Sequence, residues 1–201
     1  IQACLEMLEL EIEDQPEAME LVQRIQRAQN HLHHLNEEVR SYAAPINLNR
    51  QRCDVARVWR DTWEHLEIGR GEKEITLREH VGDVNTTCEA DPFSLGQVLR
   101  NILENAIAAC DQGGTIEIQA RAGRLGEKDA LIVCIRDTGP GLPAEVAGRL
   151  FDPFFTTKTK RTGLGLAIVK RIVEADGGTA QARNHFGGGA EIVVTLPRTR
   201  T

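Results

Sequence analysis

An unbroken apolar seam dictates how the first quarter of this chain folds. Leu21, Ile25, Ala28, Leu32, Leu35, Val39 and Tyr42 recur in alternating steps of four and three residues. That is the a/d pattern of a helix built to pack along another helix. The seam predicts a helix from about Glu17 to Ala43, and Ile1, Leu5, Leu8 and Ile12 predict a shorter one over residues 1–13. Gln15-Pro16 breaks the chain between them. Two helices joined by a tight turn form an antiparallel hairpin. So thin a hairpin cannot bury both its apolar stripes alone, so two copies are expected to build a four-helix bundle, making the chain a homodimer through residues 1–43. His31, His33 and His34 lie on the second helix. Only His33/Glu37 and His34/Glu38 have a carboxylate at the i, i+4 spacing a metal would use, so an exposed polar face is the reading for them.

Ala44-Pro45 ends the helix and opens a different composition, dividing the chain into residues 1–44 and 45–201. In the second part, strands are expected over Ile46–Cys53, Ile75–His80 and Thr86–Ala90, with a helix after the Asp54 cap. A helix over Ser94–Cys110 follows Asp91-Pro92-Phe93. Strands at Thr115–Ala122 and Ala130–Arg136 flank a hairpin loop over Gly123–Asp129. A helix from Leu164 precedes strands at Thr179–His185 and Ala190–Leu196, turned by Gly187-Gly188-Gly189. The order β-α-β-β-α-β-β then α-β-β predicts an α+β chain: a helical hairpin followed by an α/β sandwich on a mixed, largely antiparallel sheet.

Composition excludes several classes of function. The net charge of −6 and pI near 5.6 give no broad attraction to nucleic acid or anionic lipid. No apolar run approaches the ~20 residues that span a bilayer, so this part of the chain is not expected to contact a membrane. The five cysteines lack C-x-x-C spacing and mostly sit in apolar runs, which predicts buried, reduced thiols and a cytoplasmic setting.

Three polar features stand out against this frame. Asn101 and Asn105 are i, i+4 neighbours on one helix, stacked on the side away from its apolar face, with Asn105 bordering that face next to Val98. Read alone they are either surface amides or a ligand or metal site. Asp137 ends an apolar strand and is followed by Gly139 and Gly141. It is either a simple Asp-Gly turn or a carboxylate placed to accept a hydrogen bond from a base amino group. Third, the stretch from Asp152 to Lys170 begins with Pro153-Phe154-Phe155, whose rings are expected to dock on a core. It then becomes a basic strip without apolar residues, expected to be mobile and exposed, containing Lys158, Lys160 and Arg161. It ends in Gly163-Leu164-Gly165-Leu166 at a helix start, where free backbone N–H groups and nearby lysines suit a polyphosphate.

These features stand in one order: Asn101-Ile102-Leu103-Glu104-Asn105-Ala106, Asp137-Thr138-Gly139-Pro140-Gly141, Phe151-Asp152-Pro153-Phe154-Phe155 and Thr162-Gly163-Leu164-Gly165-Leu166. Behind a heptad hairpin, the set resembles the asparagine, glycine and phenylalanine boxes of the sensor histidine kinases of two-component systems. The resemblance covers about Pro45 to Pro197, with the hairpin similar to their dimerisation and phosphotransfer hairpin. With seven residues between Phe155 and Gly163, the chain looks closest to the nitrogen-regulation sensors, with a short ATP lid.

The resemblance implies a protein-histidine kinase. Its catalytic residues would be Asn101, Asn105 and Lys158. Asn105, with Asn101, would hold Mg2+, a hard cation suited to amide oxygens. Asp137 would read adenine, Gly139 and Gly141 would line the base, and Lys158 would meet the terminal phosphate. Thr162, Gly163, Leu164, Gly165 and Leu166 would complete the ATP site. The partner implied is a response-regulator receiver domain. The chain departs from the family pattern at Arg161, where a glycine is usual, and at Ala109 and Cys110, where a lysine and a tyrosine often stand. The acceptor pattern H-E-x-x-x-P-L is absent, and His65, His80 and His185 lie in the catalytic part. The first helix is also much shorter than the second, so the chain is expected to be a fragment starting just after the acceptor. The alternative is an ATPase of the gyrase, chaperone or mismatch-repair type. Those enzymes place a water-activating glutamate four residues before the Mg2+ asparagine, where this chain has Asn101, which cannot take a proton.

Overall fold

The fold was taken from a computed structural model that describes residues 4, 5, 7, 8, 12, 14–66, 73–156 and 162–198. The chain divides into two compact units, Ile1–Ala44 and Pro45–Thr201. In the first, α1 (Pro16–Ala43) starts with proline at its first turn, where no intrahelical N–H is needed. The short first helix is described only at Cys4, Leu5, Met7 and Leu8, which are helical. The seam itself faces outward: Leu21, Ile25, Leu32 and Val39 are all exposed, while the neighbouring Val22 is buried. Among the described residues, the hairpin therefore does not bury the stripe that the heptad pattern marks.

The second unit contains β1 (Gln51–Asp54), α2 (Val55–His65), β2 (Thr76–His80), β3 (Thr87–Ala90) and α3 (Pro92–Ala109). It continues with β4 (Thr115–Leu125), β5 (Lys128–Asp137), α4 (Ala144–Ala147), α5 (Gly165–Ala175), β6 (Thr179–Asn184) and β7 (Ala190–Pro197). Five strands form one sheet in the order β2-β4-β5-β7-β6, and β1 pairs with β3 in a separate antiparallel ribbon. Within the large sheet only β2 and β4 run parallel. The helices α3 and α5 pack together, and α2 packs on α3. Their apolar faces and that of the sheet make the core: Trp59, Ile102, Leu103, Ile116, Ile135, Leu164 and Val169 are fully buried. Trp59 donates from Nε1 to Glu79 at 2.8 Å, satisfying the indole N–H that burial would otherwise strand.

Local chemistry sets the element ends. The Asp54 carboxylate accepts from the Ala56 amide, and the Asp91 carboxylate accepts from the Phe93 and Ser94 amides, so each caps the helix after it. Asp91 also accepts from the Asn49 amide, and Arg50 donates to Asp176 at 2.6 Å and to the Ala175 carbonyl at 2.8 Å. The chain entering this unit is thereby pinned to the start of α3 and the end of α5.

Three expectations differ from the structure, and one short helix is additional. The Ile46–Cys53 strand is ordered as a strand only over Gln51–Asp54, because the preceding residues spend their groups on helix ends instead. The Gly123–Asp129 hairpin loop is shorter than expected, both strands running on to Leu125 and Lys128 around Gly126 at φ 61°. The short α4 after Pro143 was not foreseen. Phe154 does not dock: it is 64% exposed with φ 63°, while Phe155 is half-buried with the Arg149 guanidinium 4.5 Å above its ring. The sequence reads Gly69–Lys73 as a turn, of which only Lys73 lies within the described residues.

Cys88, Cys110 and Cys134 are buried, Cys53 is half-buried and Cys4 is exposed. Burial pushes the Cys88 thiol up to about 11 and raises Cys53 and Cys134 as well, which makes them poor nucleophiles. Among the described residues no helix is long and apolar enough to cross a membrane.

Candidate nucleotide-binding site

The site lies where the C-terminal half of α3, the end of β5 and the start of α5 meet. At one side stands Asp137. It is the last residue of β5 and only 7% exposed, an uncommon burial for a carboxylate. Its Oδ1 accepts from the amides of Gly139 at 2.9 Å and Ala190 at 3.2 Å. These bonds fix the carboxylate plane and leave Oδ2 without a protein donor among the described residues. Thr138 anchors the next step. Its amide donates to the Thr115 carbonyl, and its Oγ1 accepts from the Thr115 amide at 2.9 Å.

The glycines of this loop are required by the protein's own packing. A methyl group on Gly139 would stand 2.6 Å from the Ala109 carbonyl oxygen and 2.9 Å from Asp137 Oδ1. At Gly141, with φ 83°, it would stand 2.8 Å from Asn184 Oδ1. A third glycine, which the motif reading passed over, matters as much. A methyl on Gly189, with φ 80°, would fall on the Asp137 carbonyl oxygen. Its only signal in the sequence was membership of the Gly187-Gly188-Gly189 run.

The opposite side is the start of α5. Gly163, at φ 73°, lies so close to the backbone of Phe154 and Phe155 that a methyl would stand 2.6 Å from the Phe155 carbonyl oxygen. The phenylalanine box thus seats the glycine box through its main chain. Thr162 Oγ1 accepts from the Leu164 amide at 3.1 Å. Leu164 and Leu166 point into the core. No side chain caps α5, so its first-turn N–H groups, from Gly165 onward, have no intrahelical partner and carry the positive end of the helix dipole. Gly165 faces α3: a methyl there would lie 3.5 Å from Asn101 Oδ1. The Asn101 Nδ2 is buried without a hydrogen-bond partner. A buried unpaired amide costs free energy, so a donor left over at this point is suited to a ligand acceptor.

The structure thus brings Asn101 against the start of α5 and places Asp137 with Gly139 and Gly141 at the end of β5. Asn105 lies one turn beyond Asn101 on α3 and is half-buried. Lys158, with Lys160 and Arg161, lies outside the described residues. Among the described residues no three His, Cys, Asp or Glu side chains converge as a metal site. An ion here would rely on the amide oxygens of α3 and on its substrate.

Residues 90–200 match the family model described as histidine kinase-, DNA gyrase B- and HSP90-like ATPase. Over 181 residues, 90% of this chain, the sequence is 34% identical to the sensor histidine kinase ZraS of Escherichia coli (strain K12). It is 31% identical to the alginate biosynthesis sensor protein KinB of Pseudomonas aeruginosa over 148 residues. The chain spans 38% of the length of that ZraS and 24% of KinB. Among solved structures, the nucleotide-free catalytic domain of histidine kinase ThkA superposes with a TM-score of 0.67 at 29% identity, covering 75% of this chain and 97% of that one. Full-length ShkA superposes with a TM-score of 0.76 at 28% identity, covering 92% of this chain and 40% of that one.

The chain belongs to the histidine kinase-, DNA gyrase B- and HSP90-like ATPase family. Within it the chain is homologous to sensor histidine kinases and contains their ATP-binding catalytic domain.

Proposed function

We propose that the protein carrying this chain is an ATP-dependent protein-histidine kinase, which phosphorylates a histidine on a dimerisation helix for relay to an aspartate of a response-regulator receiver domain. The observation that carries this reading is the pairing of a buried, half-satisfied carboxylate at Asp137 with an uncapped helix start beside an unpartnered Asn101 amide. One end suits an amino-purine and the other a polyphosphate. The ShkA neighbour was solved in complex with AMPPNP, which supports a nucleotide as the ligand.

In this reading Asp137 Oδ2 accepts from the adenine amino group, and Gly139 and Gly141 give the base room against the loop. The α5 amides from Gly165 onward, with Gly163, Leu164 and Thr162 ahead of them, receive the phosphates, and the Asn101 amide donates to a phosphate oxygen. Lys158 is assigned to the terminal phosphate by sequence resemblance. Mg2+ fits the donor set, because Asn101 and Asn105 offer hard amide oxygens and a magnesium site commonly completes its shell with phosphates and water. Bound there, it would neutralise charge developing on the transferred phosphoryl group. Water activation for hydrolysis has no carboxylate at position 101 to perform it.

The outward-facing seam of α1 supports a second copy of this chain as the hairpin's partner. None of the six histidines has a glutamate directly after it, as the acceptor pattern requires, so the acceptor is assigned outside residues 1–201. Incubation with radiolabelled ATP tests both points. The 201-residue chain alone is expected to stay unlabelled. A full-length, nucleotide-pocket-defective copy should acquire acid-labile label when the chain is added. Replacing Leu32 and Leu35 with aspartate should abolish that transfer and give monomers in sedimentation. Label on any of the chain's own histidines contradicts the acceptor assignment, and unimpaired transfer by the double variant contradicts the dimer.

A further inference from the structure

The six residues from Asp137 to Leu142 form the loop that presents the carboxylate, and they are held at both ends by one hairpin. Asn184 ends β6 and Ala190 begins β7, and the two are directly opposed partners in the ladder. The Ala190 amide donates to Asp137 Oδ1 at 3.2 Å, gripping the first residue of the loop. Asn184 grips the last. The Leu142 amide donates to Asn184 Oδ1 at 2.6 Å, and Asn184 Nδ2 donates to the Leu142 carbonyl at 2.7 Å. The side chain thus reads the peptide groups of one residue as a pair, 42 positions away in sequence. Gly141 lies over the same amide, with no room for a methyl.

The hairpin itself is braced. Arg136, next to Asp137 on β5, donates to the carbonyls of Gly187 at 2.9 Å and Gly188 at 3.2 Å and pairs with Glu117. Across the hairpin turn, the His185 amide donates to the Gly189 carbonyl, and the Gly188 amide to that of His185. The support for the loop is therefore a rigid element of the sheet rather than another loop.

We infer that Asn184 is a positioning residue for base recognition: by clamping Leu142 it holds the loop so that Asp137 meets the amino group of adenine. This rests on the reading of Asp137 as the adenine-binding carboxylate. The physical basis is that a carboxylate discriminates an amino group from an oxo group only while its direction is fixed. Guanine offers an oxo group at that ring position, which repels the carboxylate. A loosened loop lets Asp137 turn away, so adenine loses affinity while guanine loses less.

The test compares Mg-ADP and Mg-GDP binding by calorimetry for the wild-type chain, Asn184→Ala and Asp137→Asn. Loss of both clamping hydrogen bonds, partly transmitted to the base, predicts about a tenfold loss of ADP affinity in Asn184→Ala. The ADP-to-GDP preference should shrink with it. A merely structural role would lower the melting temperature and leave that preference unchanged. If Asn184→Ala does not fold, Asn184→Ser is measured in its place. If ADP affinity and preference stay at wild-type values while Asp137→Asn loses binding, the clamp is wrong and the base-reading role stands. If Asp137→Asn binds ADP like the wild type, the base-reading role fails and the clamp with it.

Discussion

The two ends of the nucleotide site are built on opposite plans. At the Asp137 end the protein satisfies itself: Oδ1 has two amide donors, the Leu142 peptide is bonded on both sides, and a methyl would meet neighbouring backbone at Gly139 and Gly189 and the Asn184 side chain at Gly141. At the α5 end groups are left open. No side chain caps the helix, and the Asn101 amide is buried without a partner. A preformed base end gives specificity, because an oriented carboxylate needs no rearrangement to recognise its ligand. An incomplete phosphate end gives a site that its ligand finishes, where the same groups can follow the charge as it moves.

This contrast is sharpest in what substitutions do. The largest effect is expected at the preformed end. Gly189→Ala places a methyl on the Asp137 carbonyl at a backbone angle disfavoured for alanine. It should lower stability by about 3 kcal/mol, roughly 10 °C in Tm, and abolish ADP binding in calorimetry. A variant that melts and binds normally would show that the hairpin does not support Asp137.

Asn101→Leu probes the other end and should split the two properties. ATP affinity should fall about tenfold for the lost phosphate bond, while the nucleotide-free protein should gain about 1 kcal/mol from removing a stranded amide. Equal losses of both would mean that Asn101 is structural, and the two ends alike.

The smallest effect concerns the frame shared by both ends. Burial alone would raise the Asp91 carboxyl, but amide bonds from Asn49, Ser94 and Phe93 outweigh it and hold the group below its usual range. Glu79 behaves likewise, with Arg60 and Trp59 overcoming the effect of burial. A carboxylate depressed by folding stabilises the native state above its unfolded value, about 4, and that contribution is lost as the pH falls through the folded value. Thermal stability should therefore decline below about pH 4. In Asp91→Asn the decline should be shallower, from a starting point about 1 kcal/mol lower. An identical acid profile in that variant would remove Asp91 from the account.

Much of this was legible in the sequence because its signals are local. The boundary at Ala44-Pro45, the caps at Asp54 and Asp91 and the apolar faces of α3 and α5 follow from spacing within a turn or two. So do the strand end at Asp137 and the glycines opening α5. What escaped depends on contacts across the chain. Nothing near Asn184 or Ala190 announces that they hold a loop 42 to 53 positions away. The Gly123–Asp129 hairpin is legible, but not that cross-strand pairing carries both strands to within two residues of each other. Hydrophobicity alone places Phe154 in the core, but a left-handed backbone turns it outward beside the glycine box. The heptad pattern gave the right helix, yet periodicity does not say whether its seam meets the same chain or another.

Hydrogen exchange of backbone amides with and without Mg-ADP tests the central contrast most directly. The Gly139, Leu142 and Ala190 amides should already be protected without nucleotide, with little change on binding, because their acceptors are within the protein. The first-turn amides of Gly165 and Leu166 should exchange freely in the nucleotide-free protein and gain protection when Mg-ADP binds. The reverse pattern, a base-end loop that becomes protected only with ligand and an α5 start that is protected without it, would contradict the account.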